Sequence, residues 1–522
     1  MSLKLTVLSP NAIRLPRAEW AAVTERPVVG KDVLELLSTS MYVNALSIFR
    51  EYVQNAADSV DEALTNGILD PKEPGLVQIN VNQQERIVRI RDNGTGVEQE
   101  SFVERLVAFG ASKKRGAHAR GFRGVGRLAG LGYCQELIFR SRASGEAQVS
   151  ELRWDCRNLK KLLRDKQFSE QLDKLVGDVV TTRRLAGTDS PKHFFEVELR
   201  GIVRHGNDLL MDSVAIENYL SQVAPVPFSP GFTYGKQIQD SLRPFVNLGN
   251  LDIHINDNKR PVYRPHRDQF EVRRNVQDHF REFQFLTIPS SDGPIAAVGW
   301  VLHHGYLGAF PNSSNVKGLR LRSGNMQVGE ANLLDELFTE PRFNAWAVGE
   351  VHILDERIFP NGRRDHFEQS VHFHTVLNHL APLTKDLGRR CRSSSVKRNW
   401  MRQFQQSSAS VRDQMSVLRQ GAVTQSRRGA IKVAIEERIA RLQKIASLPM
   451  LDSAVQKRYS VQLKRFRVQL SQLSDSKKQH RRVARLRGSR RLLVQKLCDL
   501  VYENSKDQAS ARLLIERILH RL

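Results

Sequence analysis

With 522 residues the chain is too long for a single core and is expected to divide into several domains. Its composition, 40% hydrophobic and 26% charged with modest Gly and Pro, is that of a folded protein and excludes a fibrous or disordered chain. Four scattered cysteines without a CxxC pair exclude a disulfide scaffold and a zinc knuckle.

The most apolar run, Ile295–Leu302, is far too short to cross a bilayer. The opening MSLKLTVLSP lacks a signal-peptide core. The expectation is a soluble cytoplasmic protein with no membrane partner. Its charge is lopsided: residues 391–522 hold 30 Lys and Arg against 9 Asp and Glu, whereas residues 1–390 hold 50 against 47. Almost all of the net +24 therefore sits in the last quarter of the chain.

Lys31–Asn66 is helix-compatible, with a break expected near Ser38–Ser40. In its second half, REYVQNAADSV (Arg50–Val60) carries Glu51, Asn55 and Asp58 at i, i+4 and i+7, on one helical face. Phe49, Val53, Ala57 and Val60 run down the other side as a core stripe. Val77–Gly96 reads as a hairpin turning at Gln83–Glu85, its second strand ending in Asp92-Asn93-Gly94-Thr95-Gly96. Phe109–Gly126 has neither helical nor strand period and reads as a long loop, closing on the GxxGxG element Gly121–Gly126. Regular structure resumes over Leu128–Arg142, and Phe194–Leu199 is a further strand, preceded by Gly187-Thr188.

The Pro- and Gly-rich stretch Ala224–Gly235 marks a boundary. Mixed strand and helix signals run from there to about Thr384, and beyond Leu387 only helix remains. Apolar stripes at Ile431, Ile435, Ile439, Leu442 and Ile445, and at Leu463, Phe466, Leu470 and Leu473, predict two or three long helices that pair with each other or with a second chain. The fold class is α/β (α+β), with domains over residues 1–225, 226–385 and 386–522.

Taken singly, the motifs are weak. A DxGxG turn lets a backbone approach a ligand beside a hydrogen-bonding carboxylate, but Asp-Gly turns are everywhere. A GxxGxG element can present N–H groups to phosphate oxygens, and can equally be ordinary loop geometry. The order is the stronger signal: an acid–Asn–Asp helix, DxGxG after a strand, a lid-like loop ending in GxxGxG, then Gly-Thr before a strand. That order resembles the gyrase, histidine kinase and MutL (GHKL) superfamily of ATP-binding domains. Leu36–Ala63 most resembles the first two helices of the ninety-kilodalton heat-shock chaperones. No GxxxxGK[ST] phosphate loop occurs in the sequence.

The resemblance implies a Bergerat-type α/β sandwich that binds Mg²⁺ and ATP. Glu51 would be the general base for the attacking water, and Asn55 would offer its amide oxygen to Mg²⁺. Asp92 would accept a hydrogen bond from the adenine amino group, with Thr188 supporting that end. Gly94 and Gly96 would let the base and sugar lie against the backbone, while Gly121, Gly124 and Gly126 would wrap the phosphates, with Ser112 and Lys113 in the lid. Asp58 would be structural.

A second stretch, Gly318–Glu330 followed by Ala347–Glu368, resembles the same chaperones' middle domain. There an Asn-x-x-Arg, here Asn361 and Arg364, supplies an arginine to the γ-phosphate. Arg363 is adjacent, so the register is open by one residue. The resemblance does not extend beyond about residue 385.

His366, His372, His374 and His379 crowd one stretch without a metal-ligand spacing. The basic run Lys477–Arg491 is either a solvated helix face or a polyanion site. The expected function is that of a homodimeric, chaperone-like ATP hydrolase coupling closure to remodelling of a client protein or operon partner. The alternative is a nucleic-acid clamp nearer to MutL or the MORC proteins, using the basic tail. A third reading, an ATP-binding pseudo-enzyme, is disfavoured by the intact Glu51.

Overall fold

A computed structural model describes residues 31, 34, 44–108, 124, 126–165, 172–204, 206–249, 251–475 and 479–521. They divide into two compact units, one formed by the described residues up to 71, from 77 to 108 and from 124 to 213, the other by those from 214 onward together with 72–76.

In the first unit, helix α1 (Ser47–Thr65) contains neither Gly nor Pro and stops where Asn66-Gly67 follows. Gly67 takes φ +68°, its N–H meets the Leu64 carbonyl at 3.3 Å, and the Ile68 N–H meets Ala63 at 2.9 Å. That is a Schellman stop, which satisfies carbonyls the helix would otherwise orphan.

The hairpin forms as expected: β1 (Gly75–Asn82) pairs with β2 (Ile87–Asp92) from Val77↔Asp92 to Asn82↔Ile87. The Asn82 side chain accepts the N–H groups of Gln84 and Glu85 at 3.1 Å each, closing the turn. Helix α2 (Phe102–Val107) follows. Then come β3 (Glu136–Arg142), β4 (Gln148–Asp155), helices α3 (Cys156–Arg164) and α4 (Leu172–Val179), β5 (Val180–Ala186) and β6 (Phe194–Arg200). These six strands form an antiparallel sheet in the order β5-β4-β3-β6-β2-β1.

The register decides which side chains share a face. Val88, Ile90 and Asp92 align with Leu199, Val197 and Phe195, and these with Leu137, Phe139 and Ser141. This is the apolar face, and the Tyr52 hydroxyl of α1 and Gly130 lie over Leu137 and Leu199 on it. The opposite face carries charge in place of a second helical layer. Arg140 donates to Glu151 and Glu196 at 2.7 Å and to Glu198 at 2.6 Å, and Arg89 and Arg91 pair with Glu198 and Glu196. Burial alone would raise the Glu198 pKa, but hydrogen bonds from Arg140, Arg89 and Arg200 outweigh it and hold the carboxyl at about 2.

The second unit opens with helices α5 (Ser213–Val223) and α6 (Gly235–Leu242), strand β7 (Leu251–Ile255) and the hairpin β8 (Gln269–Arg273) and β9 (Val276–His279). Its main sheet comprises β10 (Glu282–Pro289), β11 (Ile295–His303), β12 (Gly318–Ser323), β13 (Met326–Val328) and β14 (Val348–Ile353), ordered β10-β11-β14-β12-β13. The apolar run Ile295–Leu302 is the buried strand β11, and β12 lies parallel to β14. The compact unit boundary thus falls at α5, ahead of the Pro-rich stretch around residue 225.

One helix crosses the boundary expected near residue 385. Helix α7 (Val371–Gln420) runs for 50 residues, capped at its start by the Ser370 hydroxyl on the Phe373 N–H and stopped by Gly421 at φ +71°. Its first half places Phe373, Val376, Leu380 and Leu387 in the sheet's core. Its second half places Phe404, Val411, Met415 and Leu418 in a helical bundle with α8 (Gln425–Ala446) and α9 (Ser453–Asp475).

This bundle decides between the two partners left open for the apolar stripes: they pair with each other within the chain. Ile435, Ile439, Leu442 and Ile445 are buried together with Leu463, Phe466 and Leu470 inside one bundle, with Ile431 and Leu473 packed against it. Apolar surface already removed from water within the chain has nothing left to gain from a second copy. Helices α10 (Arg481–Arg485), α11 (Gly488–Asn504) and α12 (Gln508–Arg521) form a further cluster around Val417, Val423, Val494, Cys498, Ala511 and Ile515.

Candidate functional site

Helix α1 is buried on its polar side as well as its apolar one. Arg50, Glu51 and Asp58 are each 6–7% exposed, beside the core residues Phe49, Val53, Ala57 and Val60. The acid–Asn–Asp face therefore is not a solvated face. Asn55, one turn beyond Glu51, is half-buried, and its amide takes part in no hydrogen bond among the described residues. Burying a carboxylate and an amide on a helix is costly unless something polar meets them.

At the Glu51 carboxylate, Oε1 accepts from Arg50 Nη2 at 3.4 Å, and backbone crowds the other oxygen. Gly126 lies directly against Oε2 of Glu51, so close that a Cβ there would overlap the carboxylate. Gly126 begins a 3-10 helix (Gly126–Gly132), and Gly124 just before it adopts φ +68°, a left-handed conformation that favours glycine. Tyr52, next to Glu51, secures this segment: its hydroxyl accepts the Gly130 N–H at 2.9 Å and donates to the Arg127 carbonyl at 3.3 Å. Burial lowers the Arg127 pKa to about 10, with the nearby Arg105 charge adding to the effect, and its Nη2 donates to the Ala108 carbonyl at 2.5 Å.

The DxGxG turn packs on the same helix about two turns further along, at Ser59. Asp92 is 5% exposed, and its Oδ1 accepts the Gly94 N–H at 2.9 Å. A side chain at Gly94 would collide with Ser59 of α1, and one at Gly96, at φ +70°, with the Arg142 carbonyl. The Thr95 N–H reaches the Ser59 carbonyl at 3.3 Å, and the two hydroxyls lie 3.3 Å apart. Sheet register puts Asp92 on the helix-facing side, with Ile90 and Val88 behind it.

Thus Glu51 and Asn55 lie on α1, Gly94 and Gly126 pack against it, and Asp92 faces it from the sheet, while Gly96 packs on the Arg142 carbonyl, all in one unit. Ser112, Lys113 and Gly121 lie outside the described residues. Thr188 sits in an exposed turn after β5 and makes no hydrogen bond to Asp92 among the described residues; Arg142 instead holds the Gly187 carbonyl at 2.9 Å. The group found beside the DxGxG turn is His193, whose ring Nδ1 is 2.8 Å from the Gly94 carbonyl. Sequence reasoning missed His193, Tyr52, Ser59 and Ser141, whose Oγ accepts the Val97 N–H at 2.7 Å. Tyr52 and Ser59 sit at i+1 and i+8 from Glu51 on a helix already marked, and that proximity was the available signal.

Residues 44–177 match the family of histidine kinase-, DNA gyrase B-, and HSP90-like ATPases. The first unit holds a GHKL-type ATPase domain. Among curated relatives, the Chaperone protein HtpG of Shewanella sediminis is 30% identical over 142 residues, that of Chromobacterium violaceum 27% and that of Nitrosospira multiformis 25%. Each of these matches covers 24% of this chain and 22% of the relative, so the shared stretch is about a fifth of the relatives' length. For this GHKL domain, the helix and the two glycine turns are the parts that contact one another.

In the second unit, Asn361–His366 is a tight turn. The Arg364 N–H meets the Asn361 carbonyl at 3.1 Å, the Asn361 N–H meets His366 at 2.9 Å, and the Arg364 carbonyl accepts the Gly329 N–H at 2.9 Å. Arg364 is half-buried at φ +56°, whereas Arg363 is exposed. A non-glycine residue held in the left-handed region carries strain that the surrounding bonds must maintain. Among the described residues there is no cluster of His, Cys, Asp or Glu able to hold a metal, which covers the histidines from His366 to His379. Nor is any described helix long and apolar enough to cross a membrane.

Proposed function

We propose that this chain is a Mg²⁺-dependent ATP hydrolase whose nucleotide cycle drives closure on a bound partner protein. The observation that carries it is the abutment of Glu51 on Gly126: a buried carboxylate set against the glycine segment that would wrap phosphates. Asp92, anchored by the Gly94 N–H and facing the helix, would take the adenine amino group as acceptor. Glu51 would take the proton of the attacking water as general base. Its position is held from two sides, by Gly126 and by Arg50 Nη2 at 3.4 Å from Oε1.

The half-buried Asn55 amide, unengaged among the described residues, suits an oxygen-seeking cation, so Asn55 is the residue that would hold Mg²⁺. When bound, Mg²⁺ would neutralise phosphate charge. The strained turn at Arg364 would present a guanidinium to the γ-phosphate on closure, as an arginine finger does. Partner remodelling follows from the likeness to HtpG, named a chaperone protein.

The test is Glu51→Ala in the full chain. ATP affinity should stay near wild type while turnover falls on the order of 10²-fold or more. Turnover within about threefold of wild type would remove Glu51 from that role. The clamp reading is favoured by a separate feature, the exposed arginines Arg481, Arg485, Arg487 and Arg490. Binding of duplex DNA with a steep salt dependence would support it.

A further inference from the structure

Helix α11 is apolar on two opposite faces. Val494, Cys498 and Tyr502, at i, i+4 and i+8, are buried against α7, α10 and α12. Leu493, Leu497 and Leu500 point the other way, 70%, 45% and 54% exposed. At about 100° per residue these three leucines fall within roughly 60° of one another, on the side away from the packed residues. Their i, i+4, i+7 spacing is that of a seam meeting another helix. Isolated exposed leucines are ordinary; a continuous stripe opposite a packed face is not.

The charge around the stripe selects its partner. On the helical wheel Arg490 borders it on one side and Lys496 on the other, both exposed and with no acidic partner among the described residues. The neighbouring acids are already engaged. Asp499 accepts from the Thr424 N–H and hydroxyl, Glu503 pairs with Arg427, Glu516 accepts from Gln420, and Asp507 caps α12 at the Ser510 N–H. Residues 479–521 hold 11 Lys and Arg against 4 acids. A second copy would bring the same positive rim against itself, and a polyanion would leave the leucines in water.

We propose that the outward face of α11 is a docking site for an amphipathic helix of a partner protein, with leucine-like residues along its seam and acidic residues on its flanks. The seam would bury the stripe, and the acidic flanks would meet Arg490 and Lys496, giving specificity and association rate more than raw affinity. This inference is independent of the nucleotide reading, since it rests on no residue of the first unit.

The test uses the full chain and a fluorescein-labelled, helix-stapled 21-residue peptide with Leu at seam positions and Glu on both flanks, read by anisotropy. The control carries Lys in place of Glu. The Glu peptide should bind at least tenfold tighter than the Lys peptide. Leu493→Asp with Leu497→Asp should weaken it at least tenfold, and Arg490→Glu with Lys496→Glu should reverse the preference. Because all four side chains face solvent, circular dichroism and melting should match wild type, which separates docking from folding. Three outcomes would overturn the proposal: no binding of the Glu peptide, equal binding of both peptides, or a wild-type dimer in sedimentation that the leucine double variant dissolves. The last would make a second copy the occupant.

Discussion

Gly126 touches Glu51 so closely that no other residue can stand at that position without moving the carboxylate. The contact joins two parts of the chain 75 residues apart and ties the end of the glycine loop to the acid on α1. Gly126→Ala should leave the fold intact while displacing Glu51, and a shift of about 1 Å is enough to cost on the order of 10²-fold in rate. Turnover and ATP binding measured together would check it; wild-type turnover would mean that the carboxylate has freedom this packing denies.

Asp92→Asn replaces a buried acceptor with an amide that can present a donor to the adenine amino group. ATP binding should weaken by roughly 1.5–3 kcal/mol, the range for hydrogen bonds to charged groups. Calorimetry with ATP and with an analogue lacking the amino group decides the matter. Wild type should discriminate strongly between the two and the variant little; unchanged ATP affinity would place the base elsewhere.

Arg364 and Arg363 separate by backbone conformation. Arg364→Ala should lower turnover with ATP affinity preserved, and Arg363→Ala should change turnover little. Arg364→Gly should be as slow as Arg364→Ala yet more stable, by about 1 kcal/mol, because glycine occupies the left-handed region without the Cβ penalty. A slow Arg363→Ala beside an active Arg364→Ala would shift the register by one residue.

The charged face of the first sheet sets an acid limit. Glu198 titrates at about 2 in the folded chain against an ordinary 4.5, so between those values the unfolded state binds more protons. Its contribution is therefore fully present above about 4.5 and is lost as pH falls toward 2. Glu198→Gln should flatten the dependence of unfolding free energy on pH across that window. It should also destabilise the chain near neutrality, since Arg140 and Arg89 would lose a charged partner. Denaturant titrations at several pH values would show it, and an unchanged slope would mean that the other carboxylates carry the whole effect.

Much of this was legible in the sequence because its causes are local. Helix periodicity put Glu51 and Asn55 on one face, strand alternation placed the hairpin and its turn, and glycines marked where backbone must come close. Their order was enough for the family resemblance.

What tertiary structure decided was what each face meets. The polar side of α1 is buried because Gly126 and the DxGxG turn pack on it, a long-range contact no local pattern encodes. The same ignorance of partners explains the tail. A stripe of Ile and Leu says that a helix must bury one side, yet its pattern is identical whether the other helix belongs to the same chain or another. Folding gave the stripes of α8 and α9 to one another and to α7, and left Leu493, Leu497 and Leu500 of α11 facing water. Periodicity fixes which residues share a face; only the packed chain determines what covers it.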